Sequence, residues 1–308
     1  MNSERHLLGA LKIGDTRMIC ATGYEDGTIV SRGEIPTTTP EETIPAISHW
    51  FVNKGVSAVG IGTFGPTPVN ASSPDFGKIT RTKDPAWQGY DLLGTLKGTL
   101  AVPCGYDTDV NAACLGEAAF GGAQGLSNVV FLTIDTGVGA GVMIDGNLLH
   151  GMLHPEAGHV PVTPDPRDPL AGKGACTYHD GCLEGYLALP AITKRWGDRA
   201  LAEIARDDDA MDLLAGYLAQ ELAICVLCYS PEKIVVGGTV AEETPIIERA
   251  LPKVEDLLDG FLITPELTDL DTYIVPSALD GDAAIKGCLA LAHRTLLSHD
   301  SHIGTLQL

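Results

Sequence analysis

From residue 7 to residue 35 the chain sets apolar runs against turn residues: LLGALKIG, then MICATGYE, then an Asp26-Gly27 pair, then TIVSRGE. Short apolar runs closed by Gly and Asp predict a three-stranded meander, with Asp-Gly as its hairpin signal. Residues 40–54 open with Pro and two acids and continue with helical apolar spacing, which predicts a helix; residues 56–64, VSAVGIGTF, predict a buried strand. The stretch from Gly65 to Gly89 is rich in Gly, Pro, Ser and Asn and reads as a long loop, of the kind that is functional or mobile in compact proteins.

Beyond it, DLLGTLKGTL predicts a short helix, VPCGYDTD a strand ending in acids, and NAACLGEAAFGGA the start of a helix. SNVVFLTIDTGVGAGVMIDGNLLHG then repeats the opening pattern of strand, polar turn, strand, Asp-Gly turn at Asp145-Gly146, and strand. IGDT at 13–16 and IDTG at 134–137 fall at equivalent places in the two meanders, so the pattern predicts an internal duplication and two related α/β domains facing a cleft. The expected boundaries are a small domain over 1–118, completed by a C-terminal helix at 281–298, and a large domain over 119–280 that carries a loop at 154–189. The rest reads as helix through about 228, strand 233–238, helix 244–259, strand TYIVPSA and a last helix DAAIKGCLALAHRTLL, with a loosely held tail SHDSHIGTLQL.

The chain has 308 residues, 44% hydrophobic and 19% charged, an ordinary composition for a soluble protein with a large core. Its formal charge of −20, without a basic run, argues against nucleic acid or an anionic membrane as partner. Anionic small molecules stay open, because backbone N–H groups and a metal ion can hold a phosphate. The N-terminus does not read as a secretory signal, and no apolar stretch reaches the roughly 18 to 20 residues of a membrane span, so a cytoplasmic protein is expected. Eight cysteines are too sparse for a disulfide scaffold. Cys225 and Cys228 form a C-x-x-C inside an apolar helical stretch, where they read as inert core thiols.

Cys176, His179 and Cys182 lie at three-residue intervals in a Pro/Gly-rich loop, with His159 upstream. Two thiolates and two imidazoles make a closed tetrahedral set for Zn²⁺, and a loop with little apolar content has few other means of holding one shape. Glu156 and Glu184 flank this group. Gly137, Gly139 and Gly141 lead into a strand rather than a helix, so the run is no dinucleotide fingerprint. It suits either a tight turn whose N–H groups and Thr136 hydroxyl close on a phosphate chain or a plain strained hairpin. Asp107, Thr108, Asp109 and Asn111 sit where a strand passes into a helix, a place for ligands in α/β folds and for helix caps alike.

Taken in order, IGDTR at 13–17, FGP at 64–66, DTDVNAA at 107–113, TGVGAG at 136–141, PEAGH at 155–159, CTYHDGC at 176–182 with LEG after it, and VVGG at 235–238 resemble the ROK (repressor, open reading frame, kinase) family, above all its bacterial fructokinase branch. The resemblance implies a two-domain actin-like (ribonuclease H-like) α/β fold, a structural zinc, frequent dimerisation and transfer of the γ-phosphoryl of Mg-ATP to a hexose hydroxyl, usually O6 of fructose. It makes Asp109 the general base and places Gly65, Thr108, Asn111, Glu156, His159 and Glu184 at sugar-contacting positions. Gly14, Asp15, Thr16, Arg17, Thr136, Gly137, Pro190, Gly237 and Gly238 fall at nucleotide-contacting ones, and His159, Cys176, His179 and Cys182 hold the metal. The family's repressors carry an N-terminal helix-turn-helix, for which residues 1–6 leave no room. Lys12 stands where these kinases usually have an acid, and Asp15 and Asp135 stand where glycine is usual. A second expectation is therefore a sugar-binding protein with weak nucleotide use, and a third is a kinase for another hexose such as mannose or an amino sugar.

Overall fold

The computed structural model describes residues 5–82 and 84–305. The chain forms two compact units: one runs to Gly121 and takes in Leu148–His154 and the chain from Asp282 on, and the other comprises Gly122–Asn147 and Pro155–Gly281.

In the first unit the meander is β1 (Leu8–Ile13), β2 (Arg17–Gly23) and β3 (Ile29–Pro36), followed by helix α1 (Pro40–Phe51), β4 (Val59–Thr63), α2 (Leu92–Leu100), β5 (Cys104–Thr108) and α3 (Asp109–Phe120). The sheet order is β3-β2-β1-β4-β5, with the meander antiparallel and β1, β4 and β5 parallel. Leu11, Ile13, Met18 and Ile61 face α1 and α2 on one side, while Leu8, Ala10, Ile19 and Ala21 face Ile285, Cys288, Leu289 and Ala292 on the other. The loop at 65–89 is packed down: Val69, Ile79 and Trp87 are buried, and Trp87 Nε1 donates to the Thr38 carbonyl at 2.6 Å. Its polar composition concealed these three anchors, each worth about 1.5–3 kcal/mol of burial.

The second unit repeats the plan with β6 (Val129–Ile134), β7 (Val138–Ile144) and β8 (Asn147–Leu148), then helices α4 (Leu183–Leu187), α5 (Leu189–Trp196), α6 (Leu201–Ile204) and α7 (Asp208–Tyr229), β9 (Lys233–Gly237), α8 (Thr239–Glu243), α9 (Ile246–Leu258), α10 (Leu270–Tyr273) and β10 (Ile274–Pro276). Its sheet order, β10-β9-β6-β7-β8, is the same pattern read from the other edge, with β6 antiparallel to β7 and parallel to β9, and β10 parallel to β9. The duplication expected from the two meanders is therefore a duplication of topology.

The last helix, α11 (Ala283–Thr305), packs in the first unit against α3, β1 and β4. Its approach is close enough to demand glycine: a Cβ on Gly60 would stand 1.9 Å from the Cys288 carbonyl oxygen, and one on Gly287 would stand 1.6 Å from that of Ala112. The tail expected to be loose continues this helix to Thr305; residues 306–308 and the first four of the N-terminal stretch lie outside the described residues. Two other expectations change. Cys225 is buried but Cys228 is exposed, because it lies in the last turn of α7 beyond the packed part of that helix. By length and composition α7 could also cross a membrane, contrary to the reading of the sequence, yet most of it is buried within the second unit.

Candidate active site and metal centre

In the first unit the chemistry gathers where β5 passes into α3. Thr108 is the N-cap, its Oγ1 accepting the Asn111 N–H at 3.1 Å, so Asp109 is left free of the capping role that the sequence alone allowed it. Beneath this turn Asp107, 1% exposed, accepts from the Thr108 N–H at 2.8 Å, from Asn111 Nδ2 at 2.6 Å and, through its other oxygen, pairs with His150 Nε2 at 2.7 Å. That pairing raises the His150 pKa. Asn111 is itself fully buried, with its amide turned to Asp107.

Asp109 is partly buried, and burial raises its pKa, against the opposing pull of Lys12, of the Val110 and Asp109 backbone N–H groups and of His154. The register explains the first of these cations. Lys12 pairs with Gly62 across β1 and β4, on the same strand face as Leu8 and Ala10, and a Cβ on Gly62 would lie 3.3 Å from Asp109 Cα. His154 abuts exposed Gly65, whose added Cβ would meet its Nε2 at 2.9 Å. His150 and His154 are not among the residues that the sequence singles out for chemistry. The only sequence signal was two histidines four apart in HGMLH, on a segment that returns to the first unit. The first turn itself is held by Thr37, whose Oγ1 donates to the Gly14 carbonyl at 2.8 Å and whose N–H donates to that of Thr16. Asp15 and Thr16 are exposed there, and exposed Arg17 pairs with Glu34 at 3.2 Å rather than with Asp15.

In the second unit His159, Cys176, His179 and Cys182 converge, with their ligand atoms all within 4.8 Å of one another. Cys176 Sγ lies 3.9 Å from His159 Nδ1 and 3.8 Å from His179 Nδ1, and Cys182 Sγ lies 3.7 Å from His159 Nδ1. Ligands of a tetrahedral zinc with ordinary Zn–S and Zn–N bonds stand about 3.6 Å apart, so the donor set fits that ion in number, type and spacing. The loop that carries it is pinned by a buried network. Asp168 takes a bidentate pair of bonds from Arg195, at 2.8 and 2.6 Å, and one from the Tyr217 hydroxyl at 2.7 Å, while the Leu170 N–H caps it at 2.9 Å. Gly158 brings the other end of the loop onto β7, where any Cβ would strike the Val138 carbonyl at 1.9 Å. Glu156, just before it, is exposed.

The second turn, between β6 and β7, meets two carboxylates. Asp135 Oδ1 accepts the Thr136 N–H at 2.8 Å and Oδ2 accepts from Thr239 Oγ1 at 2.9 Å; Glu184, on α4 just after Cys182 of the cluster, accepts the Val138 N–H at 3.2 Å. Gly237 and Gly238 end β9 and lead to Thr239, so both glycine turns meet at Asp135. Pro190 is exposed at the start of α5, whose Leu189 N–H donates to the Asp135 carbonyl at 2.8 Å.

The sequence pattern of the ROK family matches residues 8–295. Among individual relatives, the putative fructokinase of Bacillus subtilis (strain 168) is 41% identical over 94% of this chain and 96% of its own length. The fructokinase of Pediococcus pentosaceus is 40% identical over 94% and 99%. Among solved structures, the ROK hexokinase from Thermus thermophilus superposes with a TM-score of 0.77 at 25% identity, covering 95% of this chain and 99% of that one.

Proposed function

Because the chain belongs to the ROK family, we propose that it is an ATP-dependent fructokinase, transferring the γ-phosphoryl group of ATP to a hydroxyl of fructose. The observation that carries the chemistry is Asp109: a carboxylate relieved of capping by Thr108, braced from below by Asp107 and flanked by Lys12. Phosphoryl transfer asks for positioning and charge stabilisation more than for covalent help, and an aspartate in this setting takes the proton of the attacking hydroxyl. O6 is the hydroxyl that the family resemblance favours.

On this reading Thr108, Gly65, Asn111, Glu156, His159 and Glu184 serve the hexose, Asn111 by holding the turn. Gly14 to Arg17, Thr136, Gly137, Pro190, Gly237 and Gly238 serve the nucleotide, whose phosphates Mg²⁺ would accompany. The four-residue cluster would hold a structural zinc, which closes a loop that has little apolar content of its own. A cytoplasmic homodimer completes the proposal, on family resemblance alone.

Coupled release of ADP over a panel of fructose, glucose, mannose and an amino sugar tests the reading. Fructose should give the highest kcat/KM; no turnover with any hexose at saturating Mg-ATP would overturn it. The second reading, a sugar-binding protein with weak nucleotide use, draws on Asp135 and Glu184, which already engage the N–H groups of Thr136 and Val138.

A further inference from the structure

A phosphate chain seated in a glycine turn is held by backbone N–H groups and hydroxyls that point into the turn. In this chain those donors are engaged by the protein itself. Asp135 takes the Thr136 N–H through one oxygen and the Thr239 hydroxyl through the other, at 2.8 and 2.9 Å, and so joins the turn after β6 to the turn after β9. The neighbouring amide, of Val138, is taken by Glu184 at 3.2 Å. A carboxylate presents oxygens to N–H and O–H donors much as a phosphate does, so an aspartate here stands where an incoming anion would bind.

We infer that Asp135 is an internal anion that competes with the phosphate chain for the Thr136 N–H and the Thr239 hydroxyl, and so sets how tightly this protein holds its phosphoryl donor. The inference rests on the reading that nucleotide phosphates use this turn. To admit them, the Asp135 side chain must give up both bonds and rotate away. That motion takes place beside a second acid, Glu242, whose pKa is raised by burial first, then by Asp280 and, more weakly, by Asp135. A nucleotide that keeps Asp135 in place meets a like charge at short range instead. Either route weakens binding of the phosphates and leaves recognition of the nucleoside untouched.

The test is calorimetric titration of wild type, Asp135→Gly and Asp135→Asn with Mg-ATP, ADP and adenosine, after thermal melts have checked that the variants fold. Asp135→Gly removes both the competing oxygens and the charge, and should tighten ATP and ADP binding about tenfold or more. Asp135→Asn keeps an acceptor for Thr239 without the charge and should fall between the two. Adenosine, which has no phosphate, should change less than about twofold, well under the tenfold that one hydrogen bond to a charged group commands. Equal ATP affinity in all three proteins, an equal gain for adenosine, or no nucleotide binding by any of them would overturn the inference. A gain confined to ATP and ADP, with no hexose turnover by wild type or Asp135→Gly, would support Asp135 as the internal anion while sinking the kinase reading.

Discussion

Asp109 and Lys12 show what a single residue does here and what the sequence could convey of it. Asp109→Asn keeps the size and one acceptor oxygen but removes the base, so kcat should fall roughly 10²- to 10⁴-fold with a much smaller change in hexose binding. A base works only while deprotonated, so activity should fail as pH falls through the Asp109 pKa, which burial raises and Lys12 lowers. Lys12→Met removes the opposing charge and should move that acidic limb of kcat/KM to higher pH; an unmoved limb would show that Lys12 does not act on Asp109. Asp109 was legible because DTDVNAA is a local motif. Lys12 stands out in the sequence only as an odd residue in its turn, because its nearness to Asp109 comes from the pairing of β1 with β4, which no local pattern displays.

Glu221 is the residue that no pattern revealed. It lies on α7, fully buried, and its one polar contact among the described residues is Cys225 Sγ at 3.4 Å, with Oε2 left unsatisfied. Burial pushes its pKa from 4.5 up to about 7. The folded protein thus binds this proton more tightly than the unfolded chain, so stability is lost as pH rises from the unfolded value toward the folded one. The penalty is complete above it, at about 3 kcal/mol. Glu221→Gln should raise the melting temperature at pH 8 and leave it little changed at pH 4; equal shifts at both would show that the carboxylate is not the cause.

At the level of elements, the loop between His159 and helix α4 depends on two different fastenings. The Asp168, Arg195 and Tyr217 network anchors its middle in the unit's interior, and the cysteine and histidine cluster draws its ends together. Elemental analysis of protein purified without added metal should find about one zinc per chain, as a closed four-ligand site retains its ion. Cys176→Ser should lose the metal and open residues 160–182 to proteases; retained zinc would remove Cys176 from the ligand set. The cluster was readable because C-x-x-H-x-x-C is compact and His159 is near. The Asp168 network was not, since Asp168 and Arg195 look like ordinary surface charges until α5 and α7 bury them.

At the scale of the molecule, the repeated meanders announced the duplicated sheets, and strand edges were readable because apolar runs end at Gly and Asp. The return of Leu148–His154 to the first unit was hidden, because a seven-residue segment carries too little hydrophobic pattern to declare where it packs. The same holds for Trp87 and its partners in the long loop, whose polar neighbours mask them.

Helix α11 carries a consequence for how such a chain is made. Every strand of the first sheet has been synthesised once Thr108 has been added, yet the helix that covers Leu8, Ala10, Ile19 and Ala21 begins only at Ala283. Synthesis proceeds from the N-terminus, so this apolar face must wait through the translation of the whole second unit. The second unit draws its sheet and helices from one nearly continuous stretch and can close while the nascent chain is still tethered. The part synthesised first is therefore the part finished last. The interval in between, when a five-stranded sheet stands with one side bare, is when this protein has most need of a chaperone.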